Sequence, residues 1–175
     1  MLAVLCCLNF AEAASKKSGD KRSDELRRHK ALEKKQQSRL EFSAVRWHTE
    51  LTRALKEAQR TNKNILLLVT GSDWCPPCKA LEKKVFSHKD FAEIAPASLV
   101  LLKADFPRRK AQSAEEKKQA RAIVKKYPVR GYPTVFMLSP TGKILEKKVG
   151  FGGGSAKSYL KSFRSFKQVK NKNKK

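Results

Sequence analysis

Two cysteines separated by two residues are the first place in this 175-residue chain where side chains of the right type meet at the right spacing for chemistry. They lie in Trp74-Cys75-Pro76-Pro77-Cys78-Lys79. The apolar run Ile65-Leu66-Leu67-Leu68-Val69 precedes them. Behind them Leu81, Val85 and Phe86 recur at helical steps. A CxxC at a strand-to-helix junction puts Cys75 at a helix N-terminus, where free backbone N–H groups and the helix dipole stabilise a thiolate. Cys78 falls one turn later, within reach of a mixed disulfide formed at Cys75. That is the arrangement of a dithiol that cycles between reduced and disulfide forms. Pro76 and Pro77 remove two N–H donors and stiffen the active turn.

Two blander uses of the pair compete with this one. Half a zinc site needs two more ligands. The remaining cysteines, Cys6 and Cys7, lie in an apolar leader, and His29, His48 and His88 show no paired ligand spacing. An inert structural disulfide is the other use.

The elements that must position the pair are legible in outline. Trp47, Leu51, Ala54, Leu55 and Ala58 share one face of an amphipathic helix that Thr61-Asn62-Lys63-Asn64 ends. Asn64 to Thr70 reads as a buried strand by its continuous apolar run. The helix carrying the cysteines follows, to about Phe86. A short helical piece over Asp90–Ile94 is expected to stop at Pro96. Residues 98–105 read as a second buried strand, 107–113 as a basic loop, and 114–127 as a helix with Ala120, Ile123, Val124 and Tyr127 inward. Thr134 to Leu138 and Ile144 to Val149 form an antiparallel hairpin around Pro140-Thr141-Gly142-Lys143. Residues 150–154 are a flexible loop. Ser155 caps a last helix with Tyr159, Leu160 and Phe163 on one face. The crossovers make the first strands parallel and the closing hairpin antiparallel. An α/β fold is expected, a mixed sheet of four to five strands with helices on both faces.

Charge and the ends of the chain bound the partners. The net charge is +24: residues 1–13 contribute −1, residues 14–41 +5, residues 42–166 +15 and residues 167–175 +5. The globular part, 42–166, is thus basic in its own right. A basic surface attracts nucleic acid, anionic lipid or acidic proteins, but no Arg/aromatic stacking pattern or nucleic-acid motif accompanies it, and no specific nucleic-acid partner is expected. Residues 1–13 are apolar, too short to span a membrane, and end in Ala11-Glu12-Ala13, a small-x-small pattern that predicts a signal peptide cleaved before Ala14. No Lys or Arg precedes the apolar stretch. Cleavage would remove Cys6 and Cys7 and leave two cysteines, both in the motif. Residues 14–41 read as a charged linker or solvated helix, and 167–175 as a basic tail.

The chain resembles the thioredoxin superfamily over roughly Trp47 to Phe166. Trp74-Cys75-Pro76-Pro77-Cys78-Lys79 is similar to that family's active segment. Tyr127-Pro128-Val129-Arg130-Gly131-Tyr132-Pro133-Thr134 resembles its second signature, and Gly142 and Gly150 match glycines near the closing hairpin. Thr70-Gly71-Ser72-Asp73 and the Trp47 segment are similar to secreted bacterial thioredoxin-like proteins, including the DsbH-type periplasmic disulfide reductases. The resemblance implies a thioredoxin fold and a thiol–disulfide oxidoreductase in the periplasm or otherwise exported. Catalytic roles would fall to Cys75 and Cys78, with a cis-proline at Pro133 and apolar walls from Trp74 and Tyr132 at the substrate site. Core packing is the other role open to both aromatics. The partners implied are disulfide-bearing proteins and a membrane or soluble electron donor, with no metal, nucleotide or flavin cofactor and a monomeric chain. One residue departs from the family: a buried aspartate is usual six residues before the first cysteine, and this chain has Val69. A reductase, an oxidase or isomerase of the same fold, and a redox-inactive binding module all remain open at this level.

Overall fold

The computed structural model describes residues 23–33 and 45–168. The leader 1–13, the boundary at Phe42 and the tail from residue 169 lie outside the described residues. Residues 23–33 form a helix, α1, that is solvent-exposed along its whole length, Leu26 and Leu32 included. It carries charges of both signs, and Arg28 pairs with Asp24 at 3.0 Å across one turn. Such a helix is held by local pairs rather than by a core.

The rest is built on strand β2, Asn64–Thr70. Ile65 to Val69 are at most 1% exposed. One edge pairs in parallel with β3, Leu99–Asp105, and the other pairs antiparallel with β4, Thr134–Leu138. Successive strand side chains point to opposite faces, so β2 feeds two cores. Leu66 and Leu68 pack with Leu81, Phe86, Phe91 and Leu160 on one face. Ile65, Leu67 and Val69 pack with Ala54, Ala58, Ile123 and Tyr127 on the other. The first face is covered by α3 (Pro76–Leu81), the π-helical turn Glu82–Phe86, α4 (Lys89–Ser98) and α6 (Ala156–Lys161). The second is covered by α2 (Leu51–Thr61) and α5 (Ala114–Lys126). With the edge strands β1 (Trp47–His48) and β5 (Ile144–Val149), the described sheet has five strands in the order β1-β3-β2-β4-β5. It is a mixed sheet with helices on both faces, as the residue pattern implies.

Three elements differ from that pattern. Trp47 does not start α2. It sits in β1, paired with Leu101, and its ring packs against Phe86 at 5.3 Å and Phe91 at 6.2 Å on the face opposite Ala54 and Ala58. The helix begins only after Glu50, whose side chain makes no cap bond. The helix after His88 does not stop at Pro96 but runs through it to Ser98. Pro96 sits in the last turn, where its missing N–H costs one bond while Ala95 and Ser98 are buried. Lys63 Nζ caps the Pro96 carbonyl at 2.7 Å. The final helix ends at Lys161, and Phe163 enters the core, 1% exposed, from the turn beyond it. Asn62, at φ 50°, ends α2 in the left-handed conformation that asparagine tolerates.

Phe86 is the hub of the first core, 2% exposed and in ring contact with Trp47, Phe91 and Tyr159. Phe86→Ala is expected to cost about 3–5 kcal/mol, the usual range for a buried aromatic lost to a cavity. Urea unfolding followed by circular dichroism measures this; a loss under 1 kcal/mol would contradict the packing.

Candidate active site

Thr70 ends β2, and the chain then turns through Gly71-Ser72-Asp73-Trp74 into α3. The turn is closed by Cys75 N–H donating to the Gly71 carbonyl at 3.0 Å. Cys75 is the N-cap of α3, with extended backbone at φ −86° and ψ 109°, and Pro76 and Pro77 occupy the first two helical positions. Proline suits these positions because the N–H groups there have no intrahelical acceptor. Cys78 N–H is therefore the first backbone donor of the helix. Lys79 N–H closes the first helical bond to the Cys75 carbonyl at 3.1 Å. Cys75 and Cys78 form a disulfide with Cα atoms 5.2 Å apart, and each residue is 3% exposed. Both prolines between them are exposed.

Trp74 is held from three sides. Its indole N–H donates to the Phe106 carbonyl at 2.7 Å. The Tyr132 ring stands edge-on to it at 5.5 Å, and Phe106 meets Tyr132 at 6.0 Å. The Arg108 guanidinium lies over its face, 4.0 Å from the ring centroid. The fourth side is Gly71: a Cβ there would stand 2.6 Å from the indole Cζ2 and Nε1. Glycine is needed here for close approach.

Tyr132 and Pro133 arrive from the other side of β2. Thr134, directly after them, pairs with Val69 on β2 and Val149 on β5. The Tyr132–Pro133 bond is cis, the only cis bond among the described residues. Pro133 is buried, and its carbonyl accepts from Gly150 N–H at 2.7 Å. Trp74, Cys75, Cys78 and Tyr132 thus share one end of the sheet. Val69 is fully buried between Ala104 and Thr134 on the neighbouring strands. Among the described residues, no group of three or more His, Cys, Asp or Glu side chains is placed to hold a metal.

The feature that the residue pattern alone does not disclose is Asp73. Its carboxylate accepts from three successive backbone N–H groups: Arg108 at 3.0 Å, Arg109 at 2.6 Å and Lys110 at 2.9 Å. Asp105 acts in the opposite direction, accepting from Ser72 N–H at 3.0 Å. These two carboxylates lock the 107–110 loop to the cysteine turn. Desolvation pushes the Asp73 carboxyl up, but the three N–H donors outweigh it and hold its pKa at about 2, below the ordinary 3.8.

Two outcomes follow from this geometry. Gly71→Ala is expected to drive the indole off its seat. In a Trp47→Phe background, so that only Trp74 emits, the emission should shift to longer wavelength while far-ultraviolet circular dichroism is kept. An unchanged spectrum would mean that the close contact is not real. For Asp73, a folded-state pKa below the unfolded one stabilises the fold at any pH above about 4, and the contribution is lost as pH falls toward 2. Asp73→Asn should flatten the slope of unfolding free energy against pH over that acid window, measured by urea titrations at stepped pH. A slope equal to that of the wild type would remove Asp73 from the clamp.

Known proteins share this plan. A family model described as thioredoxin-like matches residues 46–140. The chain is 28% identical over 140 residues to the disulfide bond reductase DsbH of Chlamydia pneumoniae, across 79% of this chain and 83% of that one. It is 33% identical to the thiol:disulfide interchange protein DsbD of Escherichia coli K12 across 61% of this chain, while spanning 17% of DsbD's length. Among solved structures, a DsbH oxidoreductase superposes with a TM-score of 0.61 at 27% identity, covering 67% of this chain and 81% of that one. A thioredoxin from Thermus thermophilus, 20% identical, superposes at 0.50 over 69% of this chain and 85% of its own, a likeness of fold. The chain belongs to the thioredoxin-like family, and with its Cys75–Cys78 disulfide at the start of α3 it is a thiol–disulfide oxidoreductase of that family.

Proposed function

We propose that the protein is an exported disulfide reductase acting on protein disulfides through the Cys75–Cys78 dithiol. In the reduced protein, the Cys75 thiolate attacks one sulfur of the substrate disulfide. The substrate S–S bond breaks, and the departing thiolate takes up a proton. The Cys78 thiolate then attacks Cys75 Sγ in the mixed disulfide, releases the second substrate thiol and leaves the Cys75–Cys78 disulfide. Two electrons from an external dithiol donor, membrane-bound or soluble, reset the site. Trp74 and Tyr132 wall the approach to the sulfurs. Pro133 offers the backbone on its Tyr132 side to the substrate chain, and its missing N–H spares the pocket an unpaired donor. Pro76 and Pro77 hold the turn.

The observation that carries the direction is the pair of prolines at the first two positions of α3. A strongly oxidising dithiol is one whose reduced form is stabilised as thiolate. Here Pro77 removes the N2 amide, one of the two that reach an N-cap acceptor, so the reduced form gains less and gives up electrons more readily. The connection from β3 to Pro133 also holds one helix, α5, with no inserted helical domain of the kind found in oxidases. Export is supported by the apolar stretch Met1–Ala13 ending in Ala11-Glu12-Ala13 and by the likeness to DsbH; a mature chain beginning at Ala14 in the envelope fraction is the expected finding.

Reduction of insulin by dithiothreitol is expected to accelerate with the wild-type protein and not with Cys75→Ser. Cys78→Ser should keep the first attack and lose resolution, trapping a mixed disulfide visible by intact-mass spectrometry. No acceleration over the reagent and no adduct would reduce the protein to a binding module. A measured potential well above that of the glutathione pool would turn the direction to oxidation.

A further inference from the structure

We propose that the exposed basic run Arg108-Arg109-Lys110, fixed beside Cys75 by the Asp73 carboxylate, selects protein disulfides flanked by acidic residues. The proposal rests on the reductase reading and names the substrate class of that same site.

Asp73 lies two residues before Cys75, and its carboxylate holds the backbone of all three basic residues. The clamp uses their amides and leaves their side chains in solvent. Arg108 is fixed further by its guanidinium lying over the Trp74 indole, a contact of cation–π type. Lys79, exposed and directly after Cys78, adds a fourth positive charge. The nearby carboxylates are engaged by other donors, Asp73 by the loop amides, Asp105 by Ser72 N–H and Glu116, which lines a pocket with Lys110, by Ser113 N–H. Among the described residues, no ion pair ties these four side chains to a carboxylate. Some basic residues elsewhere are paired, Arg53 with Glu50, Lys103 with Glu82 and Lys157 with Asp90; what sets the loop apart is its backbone clamp beside the cysteine turn. The loop thus carries three positive side chains against the single Asp73 carboxylate, a net positive charge on backbone fixed next to the cysteine turn. A substrate strand lying across Trp74, whose indole carries the Arg108 guanidinium, passes it. Carboxylates next to the substrate cysteine are then drawn in and raise the encounter rate, while lysines there are repelled. Chain-wide charge, +24, attracts any acidic protein; the clamped loop makes the preference local to the reacting sulfur.

The full-length protein is assayed on two peptide disulfides of equal length, one with glutamates and one with lysines beside the cysteines. Dithiothreitol is the electron source, and reagent-only rates are subtracted. The readout is the ratio of kcat/KM on the two peptides. In dilute buffer the wild type should favour the acidic peptide by about tenfold or more. The ratio should fall toward unity near about 0.5 M salt, where screening reaches only a few ångströms. The variant Arg108→Gln/Arg109→Gln/Lys110→Gln keeps the backbone clamp and should lose most of the ratio. Removing three exposed charges remote from the cysteines, Lys56→Gln/Arg60→Gln/Lys143→Gln, should leave it. A ratio near one in the wild type, even with retention on phosphatidylglycerol vesicles, overturns the proposal. So does a ratio that survives the loop variant or that falls equally in the remote one. Turnover without preference overturns this proposal alone; a wild type inert on every peptide overturns the reductase reading beneath it.

Discussion

A strand paired along both edges and buried on both faces cannot slip by one residue without exchanging its two cores, and β2 is such a strand. Leu66 and Leu68 belong to one cluster and Ile65, Leu67 and Val69 to the other, so a one-residue shift would send each side chain to the wrong face. The register with β3 and β4 is therefore set by volume as well as by hydrogen bonds. Everything at the site is counted from that register. Cys75 lies five residues beyond the strand's end at Thr70, and Pro133 lies one residue before Thr134, the partner of Val69. Two segments more than fifty residues apart in sequence meet because the same strand indexes both.

Beyond the strand end, hydrogen bonds replace packing as the means of holding position. The turn Gly71–Trp74 and the loop after β3 tie to each other reciprocally. Asp73 takes amides of the loop, Asp105 takes an amide of the turn, and Trp74 donates to Phe106. Each bond links the ends of two adjacent parallel strands, whose carboxyl ends are where α/β sheets place their sites. The arrangement depends on an ionised Asp73 carboxylate, which its three amide donors favour. It also fixes the 107–110 loop, which composition alone presents as one more basic stretch.

The site was legible in the sequence to the extent that it depends on local pattern. An apolar run, a CxxC and a helical repeat identify β2, the turn and α3, because each is encoded within a few residues. Pro133 was legible through its resemblance to a family signature rather than from its own surroundings. Trp47 misled because its spacing to Leu51 and Leu55 matches a helix period by coincidence, and no Ser, Thr, Asp or Asn cap marks the true start at Glu50. Only the aromatic cluster with Phe86 and Phe91, a long-range contact, puts it in a strand. Pro96 misled because a proline near a helix end costs one bond, and burial of Ala95 and Ser98 outweighs that cost. Asp73 gave no sign at all. Its partners are backbone amides 35 to 37 residues away, and an acceptor of backbone donors leaves no complementary side chain to read.

Two features beside the dithiol bear on its chemistry, the prolines of the active turn and the one departure from the family pattern, Val69. Pro77, at the second position of α3, withholds an amide from a thiolate at Cys75. Val69, fully buried, replaces the carboxylate that the family resemblance leads one to expect near the second cysteine. The first leaves the nucleophile's thiolate less stabilised; the second leaves Cys78 without that base to take its proton. On the proposed assignment Pro77 leaves the ionised, reduced site less stabilised, which favours giving electrons away, while the missing base at position 69 slows proton removal from Cys78. They also tax the rate, because exchange runs through the thiolate and its fraction at neutral pH falls as the thiol pKa rises. A site so built gains driving force at the expense of speed, and a positive loop that concentrates acidic substrate beside the sulfurs acts on the half of the rate that the dithiol itself gives up.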